Sequence, residues 1–265
     1  MCATCGCDGP GAIVHDVIGP GAAHHGHDHD HDHVHDHVLA PSDDRTVVLQ
    51  QKVLAKNDAI ADRNRAFLAG RGVVMVNLMS SPGAGKTTLL ERTARDLAGR
   101  PRIGVIEGDQ ETALDASRIS AAGCPVVQIN TGAGCHLDAE MVAAALARLD
   151  PAAGSVVVVE NVGNLVCPAL FDLGESRRIV LASVTEGEDK PVKYPHMFAR
   201  ADLVLISKVD LLPYLTFDLD RYEADLARIA PNAARLKVSA TSGDGLADWY
   251  GWLASLGQTA AATTA

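Results

Sequence analysis

The stretch Val73-Val74-Met75-Val76-Asn77-Leu78-Met79 runs straight into Ser80-Ser81-Pro82-Gly83-Ala84-Gly85-Lys86-Thr87-Thr88, and a run with helical spacing, Thr87–Leu97, follows. An apolar strand, a glycine-rich turn and a helix start, in that order, are the context of a phosphate-binding loop. Gly83, Ala84 and Gly85 leave backbone N–H groups free to close around phosphate oxygens at the positive end of a helix dipole. Lys86 is the residue that reaches the β- and γ-phosphates. The Thr87 hydroxyl is a candidate Mg2+ ligand, with Thr88 beside it. One departure stands out: Ser80 occupies the place where the pattern expects its first glycine.

Outward from this loop, short apolar runs alternate with helical stretches. Strands are expected at Val73–Met79, Ile103–Glu107, Val126–Ile129, Val156–Glu160, Ile179–Val184, Leu203–Ser207 and Leu236–Val238. Helices are expected at Ala113–Ala121, Asp138–Leu149 and Asp218–Ile229. Strands apolar on both faces and alternating with helices specify an α/β fold, a mostly parallel sheet covered by helices on both faces. The P-loop domain is assigned to residues 73–257. Residues 41–72 read as an amphipathic helix leading into it, ended by Gly70 and Gly72, and residues 258–265 as a flexible tail.

Two further motifs bear on the base. Ser207-Lys208-Val209-Asp210 and Ser239-Ala240-Thr241-Ser242-Gly243-Asp244-Gly245 look like the guanine-specificity pair of GTPases, usually N-K-x-D and S-A-x-x-G-x-G. A carboxylate at Asp210 can accept from guanine N1–H and the exocyclic amine together, which adenine cannot offer. The Lys208 stem would cover the base face, while Ser239 and Ala240 would border it. Ser207 stands where Asn is usual, which weakens the expected tie to the phosphate loop. For Mg2+ and the attacking water, Asp109 and Glu160 stand at strand ends, where open α/β sheets bind ligands. Asp109 is the expected Mg2+ ligand, and Glu160 the group that positions water behind it. No arginine finger is evident, so slow intrinsic hydrolysis is expected.

Metal-binding chemistry is concentrated at the start of the chain. Residues 1–40 hold nine of the eleven His, three of the six Cys and no Lys or Arg. Such a segment cannot bury enough apolar surface to offset its ordering entropy, so it reads as disordered without metal. Cys2, Cys5 and Cys7 can surround one ion, with the α-amine as a fourth donor; a thiolate and nitrogen set suits Ni2+ or Cu. His24, His25, His27, His29, His31, His33, His35 and His37 alternate largely with Asp and offer overlapping imidazole sites. These suit storage of Ni2+, or of Zn2+ on ligand type alone. A third cluster is Cys135-His136 after a glycine-rich loop, together with Cys167 in the loop after Glu160. A ligand on that loop would make metal affinity depend on the nucleotide. Cys124, beside Pro125, reads as structural.

The combination resembles the HypB family, the nickel-inserting GTPases of hydrogenase maturation. It is carried by the N-terminal C-x-x-C-G-C, the His-rich insert, S-S-P-G-A-G-K-T-T, E-G-D, G-C-H, E-N-V-G-N-L-V-C-P and Glu188-Asp189-Lys190-Pro191-Val192-Lys193-Tyr194-Pro195. The resemblance implies GTP and GDP as ligands, with Mg2+. It also implies a homodimer formed across the nucleotide face and promoted by GTP or metal. A metal site of Cys135, His136 and Cys167 at that face would accompany a high-affinity site at Cys2, Cys5 and Cys7. Delivery to the hydrogenase large-subunit precursor, with a HypA-type zinc-binding partner, would follow.

Bulk properties narrow the field further. The formal net charge of −10 argues against nucleic acid or an anionic membrane as partner. No apolar run is long enough to cross a bilayer, and a cytoplasmic setting is expected, where six cysteines serve as thiols and ligands rather than disulfides. Rival readings are a UreG-like urease GTPase, a passive Ni/Zn store attached to an uncoupled NTPase domain, and a P-loop kinase or ATPase. The N-terminal thiol motif disfavours the first, and Asp210 the last.

Overall fold

A computed structural model describes residues 13–16, 44–99, 101–110 and 112–263. Cys2, Cys5, Cys7 and the His24–His37 run lie outside the described residues. The elements are β1 (Ile13–Asp16), α1 (Asp44–Gly70), β2 (Val74–Ser80), α2 (Lys86–Leu97), β3 (Ile103–Asp109), α3 (Leu114–Ala121), β4 (Val126–Asn130) and α4 (Ala139–Leu149). There follow β5 (Val156–Glu160), β6 (Arg177–Ser183), the short turns α5 (Lys190–Lys193) and α6 (Pro195–Phe198), β7 (Leu203–Ser207), α7 (Leu219–Ile229), β8 (Ala234–Val238) and α8 (Leu246–Thr263).

The strands form one sheet in the order β1-β4-β3-β5-β2-β6-β7-β8. All neighbours are parallel except β1, which pairs antiparallel with β4. Because side chains alternate along a strand, the two faces bury different residues. Val76, Leu78, Val105, Val156 and Val158 pack under α2, α3 and α8, with Leu89, Ala116, Trp249 and Leu253 as their counterparts. On the other face, Met75, Ile106, Val127, Val157 and Val159 meet Leu68 of α1 and Val142 and Leu146 of α4. Val180, Val204 and Ile206 meet Met197, Phe198, Tyr222 and Leu226 on that same side. Burial on both faces of the central strands is what their apolar runs require, while the edge strand β8 stays partly exposed.

Two differences from the sequence reading are visible. Ile13–Asp16, inside the segment read as lacking structure, adds an edge strand to β4; its I-V-H-D run contains two β-branched residues, which suit a strand. The tail assigned to 258–265 is helical to Thr263, because the alanines that follow Gln258 favour continuation of α8.

Candidate functional site

The phosphate loop joins β2 to α2. Gly83 and Gly85 take φ of 71° and 104°, in the left-handed region that their lack of a Cβ makes inexpensive. The Lys86 ammonium donates to Ser80 Oγ at 2.9 Å, and Ser80 in turn donates to the Ser81 carbonyl at 2.6 Å. Ser80 therefore holds the lysine at the mouth of the loop, a role a glycine could not fill. Burial pulls the Lys86 pKa below the usual lysine range, opposed by the nearby Glu160 charge. The loop opens onto a cleft of about 380 Å3 bounded by Lys86, Thr87, Glu107, Asp109, Arg118 and Glu160.

Of the two predicted carboxylates, Glu160 is the one that reaches the loop: it accepts from the Thr87 hydroxyl at 2.7 Å. Asp109 sits across the cleft and accepts from the Thr112 backbone N–H at 3.1 Å and hydroxyl at 2.9 Å. A third acid, Glu107, joins them. Strand register puts it directly opposite Glu160 on the adjacent β5. Burial, with Glu160 and Asp109 adding like charge, raises the Glu107 pKa to about 9, and burial raises Glu160 to about 7. Among the described residues, Glu107 Oε2 and Glu160 Oε2 are buried without a hydrogen-bond partner. Paired, desolvated carboxylates beside a threonine hydroxyl are the hard oxygen set that Mg2+ takes. Arg118 also lines the cleft, where it bonds Glu91 at 2.7 Å and the Thr88 hydroxyl at 3.3 Å.

On the base side, Ser207 donates to the Ala84 carbonyl at 2.9 Å and Lys208 to the Gly83 carbonyl at 2.8 Å. The tie to the phosphate loop, expected to be weak with serine in place of asparagine, is made by the shorter side chain. Lys208 adopts φ 60°, which turns its stem across the loop. Asp210 lies in the 3-10 turn Val209–Tyr214 that follows. Ser239 is fully buried and accepts from the N–H groups of Thr241 and Ser242, which shapes the second base loop next to Ala240. Gly245 closes that loop so tightly that a Cβ there would lie 1.8 Å from the Lys237 carbonyl oxygen.

Cys135, His136 and Cys167 converge, with one ligand atom from each lying within 4.8 Å of the others. The two sulfurs are 3.0 Å apart, well beyond a disulfide bond length. His136 stacks on Phe171 with ring centroids 3.9 Å apart, and burial lowers its pKa, favouring the neutral imidazole that binds metals. Both arms of this trio are tied to the nucleotide cleft. Ahead of Cys135, Thr131 N–H donates to the Asp109 carbonyl at 2.9 Å, and Gln110 donates to the Gly134 carbonyl at 3.2 Å. Ahead of Cys167, Gly163 packs against the phosphate loop, where a Cβ would come 2.9 Å from Pro82 Cα. Asn164 links the arms by donating to the Cys135 carbonyl at 3.5 Å. Cys124 is buried away from this group and donates to the Ile103 carbonyl.

Residues 74–237 match the family model described as CobW/HypB/UreG, nucleotide-binding domain. The hydrogenase maturation factor HypB of Azotobacter vinelandii is 52% identical over 217 residues, which is 82% of this chain and 72% of that protein. The crystal structure of HypB from Archaeoglobus fulgidus superposes with a TM-score of 0.73 at 38% identity, covering 77% of this chain and 100% of that one. HypB from Helicobacter pylori in complex with nickel gives a TM-score of 0.72 at 38% identity, covering 77% of this chain and 95% of that one.

Proposed function

The chain belongs to the CobW/HypB/UreG family, on its HypB branch, and from that premise we propose that it is a GTP-hydrolysing nickel chaperone serving assembly of the nickel–iron hydrogenase active site. The observation that carries the proposal is the shared loops. The segments bearing Cys135 and Cys167 are bonded to, or packed on, the segments bearing Asp109 and Pro82. A change at the γ-phosphate therefore moves metal ligands directly.

In this reading Gly83–Thr88 cradle the phosphates, Lys86 leaves Ser80 for the β- and γ-oxygens, and Asp210 with Lys208, Ser239 and Ala240 selects guanine. Thr87 and Glu160, with Asp109 and Glu107 nearby, would hold Mg2+, which neutralises phosphate charge during transfer. Glu160 then lies closer to the ion than the sequence reading assigns it, and Asp109 further out. Once GTP is split, the Asp109 and Gly163 loops relax and the geometry of the thiol–imidazole trio changes with them. Cys2, Cys5, Cys7 and the histidine run supply nickel to that trio. Zn2+ competes for the same ligands.

Dimerisation across the nucleotide face is supported by two apolar side chains beside Cys167, Val166 at 52% and Leu170 at 54% exposure. The hydrogenase large-subunit precursor as recipient, and a HypA-type zinc protein as helper, rest on family membership alone. None of the described helices is long and apolar enough to cross a membrane.

The test is complementation. In a host lacking its own factor, this chain restores nickel hydrogenase activity and Lys86→Ala does not. Full restoration by Lys86→Ala with added nickel would favour a passive nickel store with an uncoupled NTPase domain.

A further inference from the structure

Helix α1 carries two asparagines, Asn57 and Asn64, spaced seven apart and therefore on one face. Both are 5% exposed, which is unusual for an amide side chain unless its hydrogen bonds are met. They are met by the two arms of the thiol–imidazole trio. Asn57 Oδ1 accepts from the Ala139 N–H at 2.9 Å, and its Nδ2 donates to the Asp172 carbonyl at 2.8 Å. Asn64 Nδ2 donates at once to the Ala139 carbonyl at 2.8 Å and the Leu173 carbonyl at 3.0 Å.

Ala139 opens α4, three residues after His136. Asp172 and Leu173 end the loop that begins at Cys167 and contains Phe171, the ring stacked on His136. Further contacts fasten the second arm. Arg65 grips Asp172 through both carboxylate oxygens, at 2.9 and 2.8 Å. Gly174 packs so closely under α1 that a Cβ would fall 2.6 Å from the Ala61 carbonyl oxygen. The two ligand-bearing arms are 32 residues apart in sequence and share no strand. Direct links also cross between the arms, from Asn164 to the Cys135 carbonyl, from the Leu137 N–H to Asn161 Oδ1 and by the His136–Phe171 stack; α1 braces both arms from outside.

We propose that Asn57 and Asn64 are positioning residues for the Cys135–His136–Cys167 metal site, holding its two arms at ligand distance from outside the site. The inference rests on reading that trio as a nickel site. It adds a connection: in sequence, α1 comes directly after the His-rich segment. The same helix thus follows the His-rich segment in sequence and braces the receiving side chains.

The experiment uses the full chain with Cys2, Cys5 and Cys7 replaced by Ser, so that thiolate-to-nickel charge-transfer absorption reports on the remaining cysteines. Titration with NiCl2 in this background gives the reference band and affinity. Asn57→Ala and Asn64→Ala are expected to weaken nickel binding about tenfold each, the scale on which groups that orient metal ligands act. The charge-transfer band should shift, while affinity for a GTP analogue is retained. Asn57→Asp keeps the acceptor for Ala139 but loses the donor to Asp172, and should fall between. Should the alanine variants fail to fold, Arg65→Gln loosens the Asp172 arm from a part-exposed position and carries the test. An unchanged band and affinity in the folded variants overturns the proposal. No thiolate–nickel band in the reference background would sink the nickel reading itself, and this inference with it.

Discussion

Cys124 and the pair Cys135 and Cys167 carry the same thiol in different surroundings. Burial raises the Cys124 pKa to about 12, so its thiolate, the reactive form, is scarce near neutrality. Iodoacetamide at pH about 7.5 should alkylate Cys135 and Cys167 while sparing Cys124 in the folded protein, as site-resolved mass spectrometry would record, and nickel should protect the first two. Rapid labelling of Cys124 would contradict its assignment as a packing residue. Asp210 lends itself to an equally local prediction. Asp210→Asn should weaken GTP by about tenfold to a hundredfold, the worth of one bidentate base contact, and gain affinity for xanthosine triphosphate. Competition binding checks both halves. At this scale the phosphate loop was legible because its spacing is dictated by ligand shape. Glu107 was not, because only strand register reveals that it faces Glu160. Asn57 and Asn64 are not legible either, since polar residues on a helix ordinarily read as its wet face.

At the scale of elements, two glycines mark where segments approach with no room for a side chain. Gly163 touches Pro82 with no room for a methyl group. Gly163→Ala should push the Cys167 arm away from the phosphate loop, erase any nucleotide effect on nickel binding, and leave GTP affinity within about threefold. Isothermal titration with and without nucleotide separates these readouts; an intact nucleotide effect would rule out that contact as the route. Gly245 holds φ 67° against the Lys237 carbonyl. Gly245→Ala should displace the Ser239–Ala240 loop and lower GTP affinity by at least about tenfold, together with the melting temperature. The strands and helices that flank these loops were readable from hydrophobic periodicity alone, because the parallel sheet buries both faces. Strand β1 and the end of α8 were not. One is a four-residue edge strand that pairs antiparallel, and the other is a small-residue run without helical periodicity.

For the whole molecule, the parallel sheet acts as a fixed platform with the phosphate loop and the thiol–imidazole trio on adjoining loops at one end. Dimerisation would complete that end. Val166→Glu combined with Leu170→Glu should keep the protein monomeric in sedimentation velocity with a GTP analogue and nickel, where the unaltered chain is expected to dimerise. The architecture was legible from sequence, and the grouping of Cys135, His136 and Cys167 was expected there from their motifs and the family resemblance. What the sequence could not supply is the packing behind that grouping, in which Asn57 and Asn64 of α1 and the loop residues Asn161 and Asn164 bridge the two arms over long sequence separations. The central claim, that nucleotide state and metal affinity are one equilibrium, is tested most directly by a single comparison. Nickel affinity of the Cys2, Cys5 and Cys7 to Ser protein is measured by charge-transfer titration with GDP and with a non-hydrolysable GTP analogue. A difference of about tenfold or more, which by reciprocity requires nickel to change nucleotide affinity equally, is the predicted result; equal affinities in the two states would contradict it.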